Sequence, residues 1–299
     1  MRIAVIGRNG QIAQSLRSLG RARGRYVFCA GRPDLDLAAP DTIASFLERV
    51  SPDLVVNAAA YTAVDKAESE PDAAFRVNAD GAAHVAAACS RLHVPLVHVS
   101  TDFVFDGRKR TPYVETDGVA PLSVYGASKA AGEKAVRAAC GRHVILRTSW
   151  VYAPFGTNFV RTMLRLGAER AELGVVADQH GTPTDARDIA RAILDIAPRL
   201  QAATTDVWGT YHLTGSYETS WHRFAEEIFR QAAARGAKVP RLKAISTVEY
   251  PTAAQRPAYS VLDNTKFIAT FGFALPDWRA SLAGCLDELL PAPIEESVA

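Results

Sequence analysis

Cysteine is scarce in this 299-residue chain: four residues, at positions 29, 89, 140 and 285, far apart from one another. No C-x-x-C occurs and no histidine pair stands at ligand spacing. That argues against a structural zinc site and for free thiols in a reducing compartment. Charge of one sign is also lacking, since 34 Lys and Arg against 32 Asp and Glu leave a net +2. The arginines are scattered, without the interleaved aromatics of a nucleic-acid groove. Long apolar runs are missing as well. No stretch reaches the roughly 18 apolar residues of a membrane span, and the chain opens directly into "RIAVIG" with no cleavable apolar segment. The expectation is a cytoplasmic protein with no membrane or nucleic-acid partner. Internal repeats and low-complexity linkers are absent too.

What is present is apolar patterning. With 48% hydrophobic and 22% charged residues, the chain can bury one large core or two modest ones. "RIAVIG" (2–7), "RYVFCAG" (25–31), "DLVVNAAA" (53–60), "PLVHVST" (95–101) and "HVILRTS" (143–149) read as buried parallel strands. Helical stretches such as 11–20 and 72–92 separate them. That alternation predicts an α/β fold, a Rossmann-type doubly wound parallel sheet with helices on both faces. Beyond about residue 150, longer helices (185–200 and 220–236) predominate. Residues 1–150 are therefore read as a dinucleotide-binding domain. Residues 151–299 are read as a smaller, mostly helical substrate-binding region, some of whose segments return to the sheet. The tail "PAPIEESVA" is expected to fray.

The first chemical motif follows the first strand. In "VIGRNGQIAQSL", Gly7, Gly10 and Ala13 stand at G-x-x-G-x-x-A spacing. Gly7 serves a sharp turn, Gly10 the close approach of a pyrophosphate, and Ala13 the packing of helix on strand; the helix N-terminus then attracts phosphate. After strand two comes "AGRPDLD". There Arg32 either pairs with a 2′-phosphate, favouring NADPH over NADH, or is a solvated loop arginine. Asp36 and Leu37 stand where an acid and an apolar residue could flank an adenine. Strand three ends in small residues that let a cofactor lie close to the backbone, and strand four ends in "STDFVFDG". A Ser-Thr-Asp cluster is often only a turn. Here Tyr125 and Lys129 follow, projecting from one helical face at i, i+4. An unperturbed tyrosine, with pKa about 10, is a poor acid–base catalyst near neutrality. A neighbouring Lys129 ammonium, together with the positive nicotinamide of the oxidised cofactor, is expected to lower that pKa, so that Tyr125 protonates a carbonyl oxygen held by Thr101 as hydride arrives. Thr101, Tyr125 and Lys129, with the glycine turn, fit the extended short-chain dehydrogenase/reductase pattern.

Within that superfamily the chain resembles the dTDP-4-dehydrorhamnose reductase family nearly end to end. The motifs include "NGQIA", "NAAAYTAVDKAESEP", "STDFVFDG", "YGASKAAGE", "LRTSWVY", "VVADQHGTPT", "TSWHRFA" and "QRPAYSVLDNTKF". The resemblance implies NADPH-dependent reduction of the C4 ketone of a dTDP-6-deoxy-4-keto-L-hexose, with NADH as an alternative donor. It implies cofactor contacts at Gly10, Gln11, Ile12, Asp36, Leu37, Ala60, Tyr61 and Thr62, with Tyr125 and Lys129 on the nicotinamide ribose. Substrate contacts are implied at Thr101, Asp102 and Trp150. The Trp150 indole offers an apolar plane and one N–H to a deoxysugar; the competing reading is a core tryptophan.

The chain departs from the family in places. Phe103 stands where tyrosine is frequent, and Ala13 where glycine is usual. Arg187 occupies a position that can carry an acid, which weakens the expectation of a magnesium-bridged dimer and leaves a monomer or a homodimer open. Arg256, in "QRPAYS", either clamps a diphosphate or anchors its loop. Two other functions stay open at this level. One is a nucleotide-sugar epimerase or dehydratase, although "STDFVFDG" supplies Asp102 without an adjacent glutamate. The other is a non-enzymatic NADP-binding regulatory subunit.

Overall fold

The computed structural model describes residues 1–203 and 206–290; the tail expected to fray lies outside them. Five strands appear close to their expected places: Arg2–Ile6 (β1), Tyr26–Ala30 (β2), Leu54–Asn57 (β3), Leu96–Thr101 (β4) and His143–Thr148 (β5). Gly209–His212 (β6) returns from the second half of the chain and pairs in parallel with β5. The order is β6-β5-β4-β3-β1-β2, every pair parallel. Strand order reverses between β1 and β3, β2 being added on one side and β3, β4 and β5 on the other, and the crevice outside the strands' carboxyl ends opens there.

The strands read as unbroken apolar runs because both faces are covered. Ile3 and Val5 of β1, Leu54 and Val56 of β3, and Val144 and Leu146 of β5 point to one side. They meet the helices Gln11–Ala22 (α1) and Ala186–Ala202. The alternate residues Ala4, Ile6, Val55 and Ile145 face the other layer, built by the helices Pro40–Val50, Gly81–Arg91 and Val124–Ala139. This period of two serves two cores at once. A third cluster, including Tyr152, Val160, Phe224, Ile228 and Trp278, holds together the helices Phe159–Glu169, Trp221–Ala233 and Trp278–Leu289. Trp221 brings that lobe to the edge of the crevice. The four cysteines are free, and three of them are buried.

Two glycines of "YGASKAAGE" set how closely the Tyr125 helix (Val124–Ala139) packs. A Cβ at Gly126 would lie 2.2 Å from the Phe103 carbonyl oxygen, and one at Gly132 would lie 2.1 Å from that of Asn78. Asn78 belongs to a π-helical turn, Arg76–Asp80, inserted in the expected 72–92 helix. Such turns gather at functional sites. Asn78 here spans two segments: its Oδ1 accepts from Tyr61 N (2.8 Å), and its Nδ2 donates to Ser128 Oγ (2.9 Å).

Candidate active site

At the carboxyl end of β1 the chain turns at Gly7, whose φ of 132° belongs to glycine. Its missing Cβ would sit 3.5 Å from that of Ala13 and 3.4 Å from the Ala58 backbone, so α1 and β3 meet at this point. Gly10 differs. A Cβ there would meet only Ala58 O, at 3.9 Å, so packing does not demand a glycine. The space that Cβ would fill opens on the crevice. Gly10 is the N-cap of α1 and gives no side-chain hydrogen bond, which leaves the first N–H groups of that helix open to a ligand.

The crevice has a volume of about 580 Å³, and its lining includes Gln11, Ala60, Thr62, Thr101, Tyr125 and Lys129. Gly10, Ile12, Asp102, Phe103, Trp150 and Arg256 also face it. The tertiary structure thus gathers residues from the ends of β1, β3, β4 and β5 with the Tyr125 helix. Five sequence candidates sit outside that lining: Gly7, at the turn just described, and the four that follow. Leu37 is buried in the core beneath Gly81. Tyr61 directs its hydroxyl to Glu70 Oε2 at 2.7 Å. Asp36 accepts the Ala38 N–H at 3.0 Å, and Arg32 is exposed beyond β2.

Thr101 caps the short turn Asp102–Val104: its Oγ1 accepts the Phe103 N–H (3.2 Å) and donates to Asp102 Oδ1 (3.0 Å). The residue that makes the turn thus also lines the crevice. Asp102 is 2% exposed, and its Oδ2 is buried with no direct hydrogen bond. Burial lifts its carboxyl to about pKa 6; nearby hydroxyls, Ser260 and Thr101, hold the rise in check.

The protein's own groups do not supply the lowering expected for Tyr125. Surrounding protein pushes the Tyr125 phenol up to about 12, helped by the Asp102 charge and opposed by the Thr101 hydroxyl. Lys129 does not lower it. Its own ammonium is 2% exposed and depressed to about 8 by burial, with the Glu133 charge opposing that fall. Lys129 Nζ donates to Val99 O at 2.7 Å and lies 3.5 Å from His98 Nε2. Desolvation outweighs a cation directed at the backbone. Tyr125 is consequently a neutral phenol near neutrality, with its proton in place to give.

Beneath the site lies a buried ion pair. Arg147 holds Glu133 through two N–H···O bonds of 2.8 and 2.7 Å, and Ser100 donates to the same carboxylate at 2.7 Å. Ser100 thus belongs to the support of the Tyr125 helix.

Trp150 adopts φ 47°, a left-handed conformation uncommon for a bulky residue. Its indole stacks on Trp221 (centroids 3.5 Å apart, planes at 9°). Gly181 makes room for it, since a Cβ there would come within 2.5 Å of the ring. The half-buried Trp150 lies at the junction of crevice and upper lobe. Trp221 also lines a more apolar cavity of about 460 Å³ with Phe159, Met163 and Val175, and Arg256 faces both spaces.

Comparisons with known proteins identify the family and agree with this fold. Residues 1–290 match the family model described as the RmlD substrate binding domain. A dTDP-4-dehydrorhamnose reductase of Sinorhizobium fredii is 50% identical over 282 residues, covering 94% of this chain and 95% of that protein. The chain belongs to the dTDP-4-dehydrorhamnose reductase family. Among solved structures, the Clostridium acetobutylicum dTDP-4-dehydrorhamnose reductase superposes with TM-score 0.90 at 38% identity, covering 97% of this chain and 99% of that one. The Bacillus anthracis reductase, solved in complex with NADP, gives 0.89 at 36% identity, covering 96% and 99%.

Within this family member, some site neighbours escape sequence reasoning. Trp221 stands in the quoted motif "TSWHRFA", yet nothing local marks it as a partner for Trp150. Arg8 packs against Gly31 beside Arg32 and pairs with Asp34. Arg187 bridges Asp185 and Glu288. No group of three or more His, Cys, Asp or Glu placed to hold a metal occurs among the described residues. Among them, no helix is long and apolar enough to cross a membrane.

Proposed function

We propose that the protein reduces the C4 ketone of dTDP-4-dehydro-6-deoxy-L-mannose with NADPH, yielding dTDP-L-rhamnose. The observation that carries this reading is the juxtaposition of Thr101, Tyr125 and Lys129 with the open N-terminus of α1 in one crevice. The space beside Gly10 fits a pyrophosphate against those N–H groups, with Gln11 and Ile12 at the same helix end and Ala60 and Thr62 along the adjoining wall. Arg32 is assigned to the 2′-phosphate. When bound, NADPH supplies the hydride that reaches C4.

The remaining chemistry belongs to this chain. Tyr125 gives its hydroxyl proton to the ketone oxygen, which becomes the C4 hydroxyl. Thr101, whose hydroxyl donates to Asp102 in the free site, turns it to that oxygen, Asp102 is left to accept from a sugar hydroxyl, and Lys129 with Tyr125 would hold the nicotinamide ribose. Phe103 packs edge-on to Tyr125 at 5.7 Å, holding the phenol ring upright without a competing hydroxyl. Trp150 provides the plane for the deoxysugar, and Arg256 faces the diphosphate. We assign the protein to the cytoplasm as a monomer or homodimer, with no nucleic-acid partner.

Incubation of the pure protein with NADPH and dTDP-4-dehydro-L-rhamnose tests the reading. Oxidation of the cofactor and a rhamno-configured product are expected. A talo-configured product would change the substrate pose, and NADPH binding without turnover of any keto-sugar would refute the enzyme reading.

A further inference from the structure

Asp65 lies on the short helix Val64–Ala67, three residues after Thr62, and lines neither large cavity. Its two oxygens reach a segment nearly two hundred positions later. Oδ1 accepts the Ala254 N–H at 3.1 Å, and Oδ2 accepts from Arg256 Nη2 at 2.7 Å. Arg256 faces the crevice on one side and the apolar cavity on the other, so Asp65 grips the guanidinium from behind. The loop is clamped further along, where Pro257 sits against Gly107; a Cβ on that glycine would come within 2.6 Å. The helix bearing Asp65 is itself tied to the catalytic elements. Glu68 Oε1 accepts the Val124 N–H at 2.8 Å, at the N-terminus of the Tyr125 helix, where a carboxylate is favoured.

We propose that Asp65 is a positioning residue for the substrate: it fixes Ala254–Arg256 so that the remaining guanidinium N–H groups meet the diphosphate of the sugar nucleotide. The inference rests on the sugar-nucleotide reading above. Two effects of Asp65 oppose each other. Its negative charge repels a diphosphate, but across a partly exposed site that repulsion is screened. Ordering a long arginine side chain and its loop beforehand removes a cost on the order of tenfold in a binding constant. The position of Asp65 behind Arg256, outside both cavities, makes ordering the larger effect.

The test compares wild type, Asp65→Asn, Asp65→Ala, Arg256→Gln and the Asp65→Ala/Arg256→Gln double variant. Calorimetry with dTDP and with NADPH is combined with steady-state kinetics on the keto-sugar. Asp65→Ala should weaken dTDP binding about three- to tenfold and raise KM in parallel, with kcat and NADPH affinity nearly unchanged. Asp65→Asn keeps an acceptor for the Ala254 N–H and should show a smaller loss in the same direction. In the Arg256→Gln background, Asp65→Ala should add nothing. Unchanged or tighter dTDP binding by Asp65→Ala overturns the proposal, as does an equal further loss without Arg256. Failure of the wild type to bind dTDP or reduce the keto-sugar would instead refute the sugar-nucleotide reading beneath it.

Discussion

Replacing Asp102 by asparagine should change how stability depends on pH, by an amount the site itself sets. The carboxyl is buried, its Oδ2 has no direct hydrogen bond, and its pKa in the folded protein is about 6 against an ordinary 3.8. The folded state therefore holds this proton more tightly than the unfolded chain does. Its contribution to stability is full below the unfolded pKa and is lost as pH rises through the folded one. A shift of about two units corresponds to roughly 3 kcal/mol in all, and about 2 kcal/mol of it falls between about pH 4.5 and pH 8. Asparagine does not titrate. It keeps an oxygen for the Thr101 hydroxyl and places an amide where Oδ2 lay, at a constant cost of about 1–3 kcal/mol. The difference in unfolding free energy, variant minus wild type, should thus become more favourable to the variant by about 2 kcal/mol over that range, whatever its absolute value. Urea unfolding of both proteins across the pH series measures it, and the other titrating groups cancel in the difference. A difference that stays flat, or slopes the other way, would show that the Asp102 carboxyl is not desolvated in the folded protein.

Four further outcomes are expected. Tyr125→Phe should fold, bind NADPH and lose about 10²–10⁴-fold in kcat; Lys129→Met should be no milder, and near wild-type turnover by Tyr125→Phe would refute the proton-donor role. Arg32→Asp should erase or reverse the NADPH preference, read as the ratio of kcat/KM with the two cofactors, through lost pairing and added repulsion; an unchanged ratio removes Arg32 from the 2′-phosphate. Trp150→Ala should raise KM for the sugar nucleotide and spare NADPH affinity, whereas a large stability loss with KM retained would make Trp150 a core residue. Gly132→Ala should destabilise by about 1–3 kcal/mol in chemical unfolding, because the Asn78 carbonyl must move aside, and a neutral result would show that the Tyr125 helix packs less tightly against the π turn.

Much of the architecture is legible in the chain because it is encoded locally. "RIAVIG" and "DLVVNAAA" are apolar on both faces, so they name buried parallel strands before any partner is known. The turn at Gly7 is legible because its positive φ belongs to glycine, and Tyr125 with Lys129 because one helical turn brings them to one face. The π turn at Arg76–Asp80 is not legible, since its sequence is ordinary helix and the segment that packs on it, at Gly132, lies far along the chain. The return of β6 is likewise a matter of register with β5, and nothing in "GTYH" states it.

The sequence by itself determined the sheet, the glycine turn and the residue types of the proton-donor pair, all consequences of short-range periodicity and backbone sterics. Only the tertiary structure decided what those residues experience. It stacked Trp221 on Trp150, set Asp65 behind Arg256, and pointed the Lys129 ammonium at Val99 O. It thereby raised the phenol it was expected to lower, because burial and charge geometry depend on groups that meet only when distant segments pack.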